Sequence, residues 1–527
     1  MMRRLFLLVS FLMSLAAFSQ EIDVVHYDYT LFVSEKNDTL VGNATILFVR
    51  KSHSDTVAFD LTGINKEGRG MEVVNCRTLW SKTALQFSQT NDKLLIVLPR
   101  SKYGDTADVT LGYRGIPDDG LIISRNKYGD RTFFADNWPN RAHHWIPCND
   151  QPADKASFSF TVIAPDEYSV ISNGTKTVEY TASGGKRVTV WEEKVSLPTK
   201  VMVIGIAKFA VKTFPDSPPN VPVSAWVYQQ DSAKGFHDYA PAPGIVKFFS
   251  SYIAPFPYEK LANIQSKTIF GGMENASAIF YFEGSVTGKG GVEDLLAHEI
   301  AHQWFGDMAS EKSFTHLWLS EGFATYFTDI YWQHQFGEDA FRKRLQKERE
   351  EVVQFVKTND HPVVDSLSAY MDLLNANSYQ KGAWVLHMLL NEVGDSVFHK
   401  IIQSYYQKYK GGNADTRDFE VVAETVSGKN LKWFFDQWLY QPGIPKFTLE
   451  WKADGNKIKL DLKQSTSTAF QFPLEVGVVS SSGKMSVQRM AVKSKEEEFK
   501  LELPFTAIKL VLDPNTNLLF EGSAVAK

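Results

Sequence analysis

The sequence predicts an α+β protein of several domains, arranged in the order β-rich, mostly helical and again β-rich. The chain has 527 residues, which favours two to four domains at roughly 100–200 residues each. Its first part alternates β-branched and aromatic runs with clusters of Asp, Asn, Gly and Pro, a pattern typical of strands and turns. Its middle part has apolar residues at helical spacing, and its last part returns to strand-like alternation.

The composition is that of a globular protein with ordinary charge. Hydrophobic residues make up 43% of the chain, and the formal net charge is −5. This apolar content is enough to bury sizeable cores, and without a basic patch no nucleic-acid partner is expected. The two cysteines, Cys76 and Cys148, exclude a framework of several disulfides and leave the pairing of these two open.

The N-terminus has the pattern of an export signal. Arg3 and Arg4 are followed by an almost wholly apolar run over 5–18 and by small residues around Ser19. We expect residues 1–19 to be a cleaved signal peptide, so that the protein is periplasmic or extracellular. An uncleaved membrane anchor is the alternative. No later segment has the roughly 18 uncharged apolar residues of a membrane helix, so no stable membrane insertion is expected.

Each predicted domain has its own local pattern. The predicted bounds are 20–210 for the N-terminal β domain, 211–443 for the helical domain and 444–527 for the last β domain. A Pro-rich stretch over 213–221 is interpreted as the connector between the first two domains.

Particular strands and helices follow from these patterns. The strand-like runs of the first domain include 45–49, 94–98 and 158–162. Helices bounded by Gly, Asn or Asp are predicted over 293–305, 317–335, 338–357, 379–393 and 396–410. In the last domain, the segments 447–451 and 457–462 alternate on either side of an Asp-Gly-Asn turn, which predicts a hairpin.

The sequence HEIAH that begins at His298 predicts a zinc site. On a helix, residues four apart share one face, so His298 and His302 can bind one ion. Glu299 would lie beside the zinc-activated water, from which it can take a proton as general base before it protonates the leaving amine. The third ligand is predicted to be Glu321, a carboxylate in apolar surroundings where an unpaired charge is costly. We expect one zinc ion per chain.

Four motifs follow one another along the chain. They are PCNDQPADKA at 147–156, GGMEN at 271–275, HEIAHQWFGD with WLSEGFATYF, in which eighteen residues separate His302 from Glu321, and YQKG at 379–382. In the same order, they resemble the first-domain loop, exopeptidase motif, zinc signature and catalytic-tyrosine segment of one family. That family is the zinc aminopeptidases of the aminopeptidase N and leukotriene hydrolase type, which are gluzincin metallopeptidases. The chain is identified as a short, secreted, bacterial-type member.

The resemblance implies an N-terminal β saddle domain, a thermolysin-like, mostly helical catalytic domain and a small C-terminal β-sandwich. It implies a zinc-dependent aminopeptidase in which Glu274 binds the free α-amine of the peptide and Tyr379 stabilises the oxyanion. The implied substrate-binding segment consists of Gly271, Gly272, Met273, Glu274 and Asn275.

Several features depart from the family pattern. Gly272 stands where many members have Ala, which is sterically permissive, and Ser320 stands where Asn is usual, which we do not expect to remove zinc. Many members use a Gln or Glu as a second contact to the amine, and here Asp136 or Asn137 is no more than a candidate for that contact. No large helical domain follows the predicted β-sandwich in this sequence, so an open cleft and a monomer are expected.

Other functions are still open at this point. The same zinc site would also serve an endopeptidase or an epoxide hydrolase, although Glu274 without an ammonium partner argues against a pure endopeptidase. A non-catalytic binding scaffold is a further alternative, against which the presence of Glu299 and all three ligands argues. The preferred first residue of the peptide does not follow from the sequence, because side chains from several domains form that pocket.

Overall fold

The computed structural model describes residues 22–90, 92–99 and 103–527. The signal peptide predicted over 1–19 lies outside the described residues, so export stays a prediction. Within the described part of the chain, no helix is both long and apolar enough to span a membrane.

The N-terminal part is built on a seven-stranded sheet in which buried and exposed side chains alternate. In the strand Ala156–Pro165, for example, Phe158 and Phe160 are buried while the serines beside them are partly exposed. The strands of this sheet, in spatial order, are Thr175–Ala182, Lys186–Leu197, Ala156–Pro165, Ile22–Phe32, Leu40–Arg50, Thr106–Ile116 and Gly70–Arg77. The strand-like runs predicted at 45–49 and 158–162 lie within it.

Two smaller sheets share the hydrophobic core of this part. One consists, in spatial order, of Ser169–Ser172, Ile204–Ala207, Arg131–Ala135 and Leu121–Arg125. The other consists of Thr56–Asp60, Lys93–Val97 and Gln86–Gln89. The predicted run at 94–98 belongs to the second of these sheets.

Both cysteines are buried in the N-terminal part and are unpaired, which settles the pairing that the sequence left open. Burial raises the pKa of the Cys76 thiol to about 12 and raises the pKa of Cys148 well above its ordinary value. Neither is therefore a reactive thiolate at neutral pH.

The middle part begins with a five-stranded mixed sheet. Its strands, in spatial order, are Phe209–Thr213, Val223–Tyr228, Leu261–Ser266, Ala278–Phe282 and Gly272–Met273. The Pro-rich stretch over 213–221 joins the first two, which pair antiparallel from Phe209 with Tyr228 to Thr213 with Ser224. The interpretation of this stretch as a connector between domains was therefore wrong. Loops between paired strands and linkers share a composition rich in Pro and Ser, so composition alone could not separate them.

Helices make up most of the rest of the middle part. They are α1 (Ser232–Asp238), α2 (Ala242–Tyr252), α3 (Glu293–His302), α4 (Trp318–Phe336), α5 (Glu338–Phe355), α6 (Gly382–Val393), α7 (Asp395–Tyr409), α8 (Thr416–Ser427) and α9 (Lys432–Phe435). A two-stranded pairing of Ser310–Glu311 with Asn413–Ala414 ties the loop after α3 to the start of α8. The five predicted helices correspond to α3 to α7 with small differences at their ends.

The C-terminal part consists of two sheets around a common core. The first is mixed and the second is antiparallel. One contains Glu496–Glu502, Lys457–Gln464, Lys446–Asp454 and Glu521–Ala526, and the other contains Met485–Val492, Phe472–Ser480 and Ala507–Leu512. The predicted hairpin is confirmed, because the strands Lys446–Asp454 and Lys457–Gln464 pair antiparallel and close with Asp454 opposite Lys457.

The C-terminal sheets are fastened to the helical part. Arg349 of α5 forms an ion pair with Asp513 at 2.8 Å, and His387 Nε2 of α6 lies 3.0 Å from the Thr516 carbonyl oxygen. The predicted α+β multidomain class is confirmed. The domain boundaries after residues 210 and 443 stay predictions, since the core of the helical part continues into the C-terminal sheets.

Candidate metal centre and active site

Two neighbouring helices bring three metal-ligating side chains to one point. His298 and His302 lie four residues apart on α3, and Glu321 lies in the first turn of α4. The Nε2 atoms of the two histidines are 3.2 Å apart, and Glu321 Oε2 is 3.3 Å from His298 Nε2 and 3.2 Å from His302 Nε2. Tetrahedral zinc with bonds of about 2.0–2.1 Å places its ligand atoms about 3.3 Å apart. The spacing and the donor types therefore fit zinc.

The second ring nitrogen of His302 is also held in place. His302 Nδ1 lies 3.2 Å from the Phe305 carbonyl oxygen and 3.0 Å from Ser320 Oγ. Donation from Nδ1–H to these oxygens leaves Nε2 free for a metal ion. Ser320, the residue that departs from the family pattern, thus supports the ligand. The sequence did not predict this contact, because it depends on how α3 and α4 pack together.

Buried carboxylates concentrate negative charge around this point. Glu274, Glu299 and Glu321 are each buried, and single ligand atoms of Glu274, Glu299 and His302 lie within 4.8 Å of one another. Burial raises the pKa of Glu299 well above its ordinary value, and the nearby Glu274 and Glu321 add to this rise while His302 opposes it. Burial would lower the pKa of His302, but the Glu321 carboxylate raises it to about 10. The site therefore favours cations.

Within the Gly-Gly-Met-Glu-Asn segment, Gly272–Met273 forms a short edge strand beside the metal ligands. Gly272 and Met273 pair antiparallel with Tyr281 and Phe280, and the strand has no neighbour on its other side within the described sheet. A Cβ on Gly272 would lie 2.2 Å from Glu299 Oε1, so glycine is what allows the base and the strand to approach so closely. This free edge is available for an extended peptide.

Glu274 presents one buried carboxylate oxygen that has no hydrogen-bond partner among the described residues. It is 5% exposed, and its Oε1 is buried without a hydrogen-bond partner in the part of the chain that the structure describes. Gln303 Nε2 donates to the Glu274 carbonyl oxygen at 2.7 Å and to Asp307 Oδ2 at 3.0 Å, which fixes the backbone of Glu274. Asn275 is fully buried and does not line the cleft, unlike the first four residues of the predicted substrate-binding segment.

Tyr379 lies in a π-helical turn, Asn377–Lys381, that leads into α6. Its ring stacks on the His298 imidazole with centroids 6.0 Å apart and an interplanar angle of 13°. Burial and then the Glu321 carboxylate raise the pKa of Tyr379 well above its ordinary value. The hydroxyl therefore stays protonated at neutral pH and can donate a hydrogen bond into the cleft.

Two glycines allow this turn to touch α4. A Cβ on Gly322 would lie 2.8 Å from Gly382 Cα, and a Cβ on Gly382 would lie 2.9 Å from Gly322 Cα. Contact of this kind between two backbones requires glycine on both sides. Because Glu321 precedes Gly322 and Tyr379 lies in the turn before Gly382, the contact sets the distance between a candidate ligand and the tyrosine.

Replacing Gly322 by Ala is expected to lower turnover roughly tenfold or more and to lower Tm by a few degrees. The added methyl group collides with backbone, so α4 and the Tyr379 turn must separate. Initial rates at saturating substrate and thermal unfolding by circular dichroism check this. The control is Gly244→Ala in α2, where a Cβ meets nothing within 4 Å, and it should change neither quantity appreciably. Normal turnover in Gly322→Ala would show that the contact does not position the site.

The segment that follows the strand Arg131–Ala135 reaches the cleft with a residue that was not among the candidates from the sequence. Asp136 Oδ2 accepts a hydrogen bond from Ile269 N at 3.0 Å, and Asn137 is engaged by Thr199, Met202 and Trp145. Neither candidate for a second amine contact lines the cleft, and the second contact stays unassigned. Trp138 lines it instead. In the sequence, the only indication of this position was that a large aromatic residue directly follows the two candidates.

The site of a gluzincin-type zinc metallopeptidase is formed by three features. They are an HExxH helix, a glutamate on the next helix, and an edge strand followed by Glu274 with its unpartnered carboxylate oxygen. Residues 24–201 match the peptidase M1 N-terminal domain, and residues 241–438 match the peptidase family M1 domain. The chain belongs to peptidase family M1, whose members are zinc metallopeptidases.

Individual relatives agree with this assignment. The chain is 31% identical over 413 residues to probable aminopeptidase 2 of Sulfurisphaera tokodaii, which covers 74% of this chain and 51% of the relative. Its fold is similar to that of Legionella pneumophila aminopeptidase A, with a TM-score of 0.82, 17% identity and coverage of 96% of this chain and 60% of that one. It is also similar to an M1 zinc metallopeptidase of Deinococcus radiodurans, with a TM-score of 0.69, 24% identity and coverage of 80% and 94%. The chain spans about half the length of the curated relatives it matches.

Proposed function

We propose that this protein is a zinc-dependent aminopeptidase that removes the first residue of peptides with a free N-terminus. One observation carries the proposal. Glu274 contributes a buried carboxylate oxygen, without a partner among the described residues, to the cleft that also contains the candidate zinc ligands. A buried carboxylate of this kind favours a cation, and the α-ammonium group of a peptide supplies one. Membership of a peptidase family supports hydrolysis of the peptide bond that follows the residue carrying this ammonium group.

In this proposal His298, His302 and Glu321 hold one zinc ion per chain. Zinc, when bound, supplies a Lewis acid that polarises the scissile carbonyl group and activates water. Side chains and backbone groups of this chain transfer the protons, stabilise the oxyanion and align the peptide.

Glu299 is the proposed general base. Its carboxylate is buried and close to His302, where it can accept a proton from the attacking water and then give it to the leaving amine. Tyr379 donates its O–H to the oxygen that gains negative charge. The free edge of Gly272–Met273 aligns the peptide backbone as an added strand, and Glu274 fixes its amino end.

Replacing Glu274 by Ala is expected to abolish the preference for a free amino terminus. The kcat/KM ratio between a peptide and its N-acetylated twin should fall by roughly 100-fold, since one partner of a buried charge pair is lost. Turnover of both twins by wild type and variant, with zinc content measured in parallel, tests this.

Glu274→Gln is the matched variant for this experiment, because it keeps the shape of the side chain and removes the charge. It should behave like Glu274→Ala if the ammonium contact is electrostatic. An unchanged ratio in both variants would exclude Glu274 as the amine anchor. Equal cleavage of the two twins by the wild-type enzyme would favour an endopeptidase instead.

A further inference from the structure

The segment that begins with Glu274 turns sharply directly behind the edge strand. Ser277 has a φ of 60°, in the left-handed region, and Ala278 N donates to the Asn275 carbonyl oxygen at 2.9 Å. We call residues 274–277 the anchor turn, since they include the carboxylate that is proposed to hold the amine of the substrate. The position of this turn relative to the zinc ligands decides where the peptide bond of a bound substrate lies.

One side chain connects both ends of the anchor turn to the helix of the histidine ligands. Gln303 directly follows His302 at the end of α3 and is fully buried. Its amide oxygen accepts a hydrogen bond from Ser277 N at 2.7 Å, and its Nε2 donates to the Glu274 carbonyl oxygen at 2.7 Å. Over the described residues, no other hydrogen bond joins the anchor turn to this end of α3.

The orientation of the Gln303 amide is fixed by a further contact. Nε2 also donates to Asp307 Oδ2 at 3.0 Å, so the amide nitrogen and not the amide oxygen faces this carboxyl group. Asp307 is fully buried, and Lys155 Nζ donates to its carbonyl oxygen at 3.1 Å and to that of Met308 at 2.9 Å. Lys155 belongs to the PCNDQPADKA motif, so the N-terminal part holds the residue that orients Gln303.

A shift of the anchor turn would misalign a peptide that is held by its amino group. One residue of an extended peptide covers only about 3.3–3.6 Å, and a misplacement of about 1 Å at a reacting group can lower a rate roughly 10²-fold. Because Gln303 and His302 are neighbours in the chain, a single side chain relates the amine anchor to a zinc ligand. Gln303 itself does not line the cleft.

We propose that Gln303 is a positioning residue that sets the distance between Glu274 and the zinc ligands and thereby aligns the first peptide bond with the metal site. The inference rests on the proposed aminopeptidase function and adds to it the residue that sets this spacing. Gln303 acts through the backbone of Glu274 and takes no part in the proton transfers.

The binding test compares two small probes that differ by one amino group, glycine hydroxamate and acetohydroxamate. Both carry the same metal-binding group, and only glycine hydroxamate has an amine for Glu274. Calorimetric titration of the zinc-loaded wild-type protein should show tighter binding of glycine hydroxamate. In Gln303→Met, which keeps the length of the side chain and removes its hydrogen bonds, this advantage should fall by about tenfold or more, because the two contacts are no longer made together. Acetohydroxamate affinity and zinc content should stay unchanged.

Steady-state kinetics provide the second measurement. The kcat/KM ratio between L-phenylalanine amide (the Phe amide) and its N-acetylated twin should fall by about 10- to 100-fold in Gln303→Met. Gln303→Asn is the second variant, because it keeps the amide group and shortens the side chain by one methylene. Its ratio should lie between those of the wild type and Gln303→Met.

Gln464→Met is the matched control. Gln464 is also buried, and its amide likewise accepts one hydrogen bond, from Phe470 N, and donates two, to the carbonyl oxygens of Phe470 and Ser494. Gln464 lies in the C-terminal sheets, so its replacement should lower Tm about as much as Gln303→Met does. It should change neither the probe affinities nor the kinetic ratio.

The outcomes distinguish this inference from the proposed function. Equal affinity of the wild type for the two probes, with equal hydrolysis of the Phe amide and its twin, would overturn the amine anchor and with it the aminopeptidase proposal. If the wild type prefers the free amine and the folded, zinc-loaded Gln303 variants keep that preference in full, only the role of Gln303 is overturned. Equal losses of preference in Gln303→Met and Gln464→Met would reveal a general effect of destabilisation and would also overturn that role.

Discussion

Replacing Glu299 by Gln is expected to lower turnover by about 10²–10⁴-fold while zinc stays bound, the range by which a general base contributes to such reactions. The amide has nearly the shape of the carboxylate but cannot accept the proton of the attacking water. Glu299 is not one of the three residues whose ligand atoms lie 3.2–3.3 Å from one another. The metal site should therefore survive the change.

Glu321→Ala is the counterpart of this variant and should lose zinc as well as activity. It removes one of three protein ligands and leaves two histidines, which bind zinc more weakly. Metal content by plasma emission spectrometry, together with initial rates, distinguishes the two variants. Glu338→Gln, which changes an exposed carboxylate at the start of α5 that pairs with Arg342, is the control and should alter neither measurement. If Glu299→Gln lost zinc and Glu321→Ala kept it, ligand and base would be assigned the wrong way round.

The metal site was predictable because residues close together in the sequence determine its geometry. His298 and His302 are separated by one helical turn, so their spacing alone brings both rings to one face of α3. The hairpin after Lys446–Asp454 was predictable for the same reason, since alternation and a Gly-containing turn specify it within a few residues. In both cases neighbouring residues in the sequence determine the geometry, and no distant contact has to be known.

The five-stranded sheet was not predicted, because its strands do not alternate. In Leu261–Ser266 every residue is buried, and the strand carries polar residues that are satisfied inside the protein. Gln265 accepts a hydrogen bond from Tyr228 N at 2.9 Å and donates to Asp231 at 2.7 Å. A strand that is buried on both faces and contains an amide side chain has no period by which the sequence reveals it.

The surroundings of the site were unpredictable for a different reason. The contact of Gly322 with Gly382, and the position of Trp138 in the cleft, both join segments that are far apart in the sequence. A glycine in a helix is compatible with a close contact, a kink or neither, and a tryptophan is most often simply buried. Asp136 and Asn137 do not line the cleft, and both side chains form hydrogen bonds to backbone groups instead.

Replacing Tyr379 by Phe is expected to lower turnover by about 10²–10³-fold with little change in KM, the loss that follows removal of one oxyanion donor. The phenyl ring keeps the stacking on His298, so the wall of the cleft and the metal ligands stay in place. The substitution removes only the hydroxyl, which burial keeps protonated. This hydroxyl stabilises negative charge on the carbonyl oxygen, and that charge develops only during the reaction.

The separation of kcat from KM is therefore what identifies the role of Tyr379. A group that contacts the substrate equally before and during the reaction would raise KM when it is removed, whereas a donor to the developing oxyanion lowers kcat. Steady-state kinetics on the Phe amide, with zinc content measured for each preparation, makes the distinction. Tyr370→Phe is the matched control, because Tyr370 is 44% exposed and its ring contacts Phe314 at a tilted angle without lining the cleft. Near-normal kcat with a raised KM in Tyr379→Phe would assign this tyrosine to substrate binding, and the oxyanion would then need another donor.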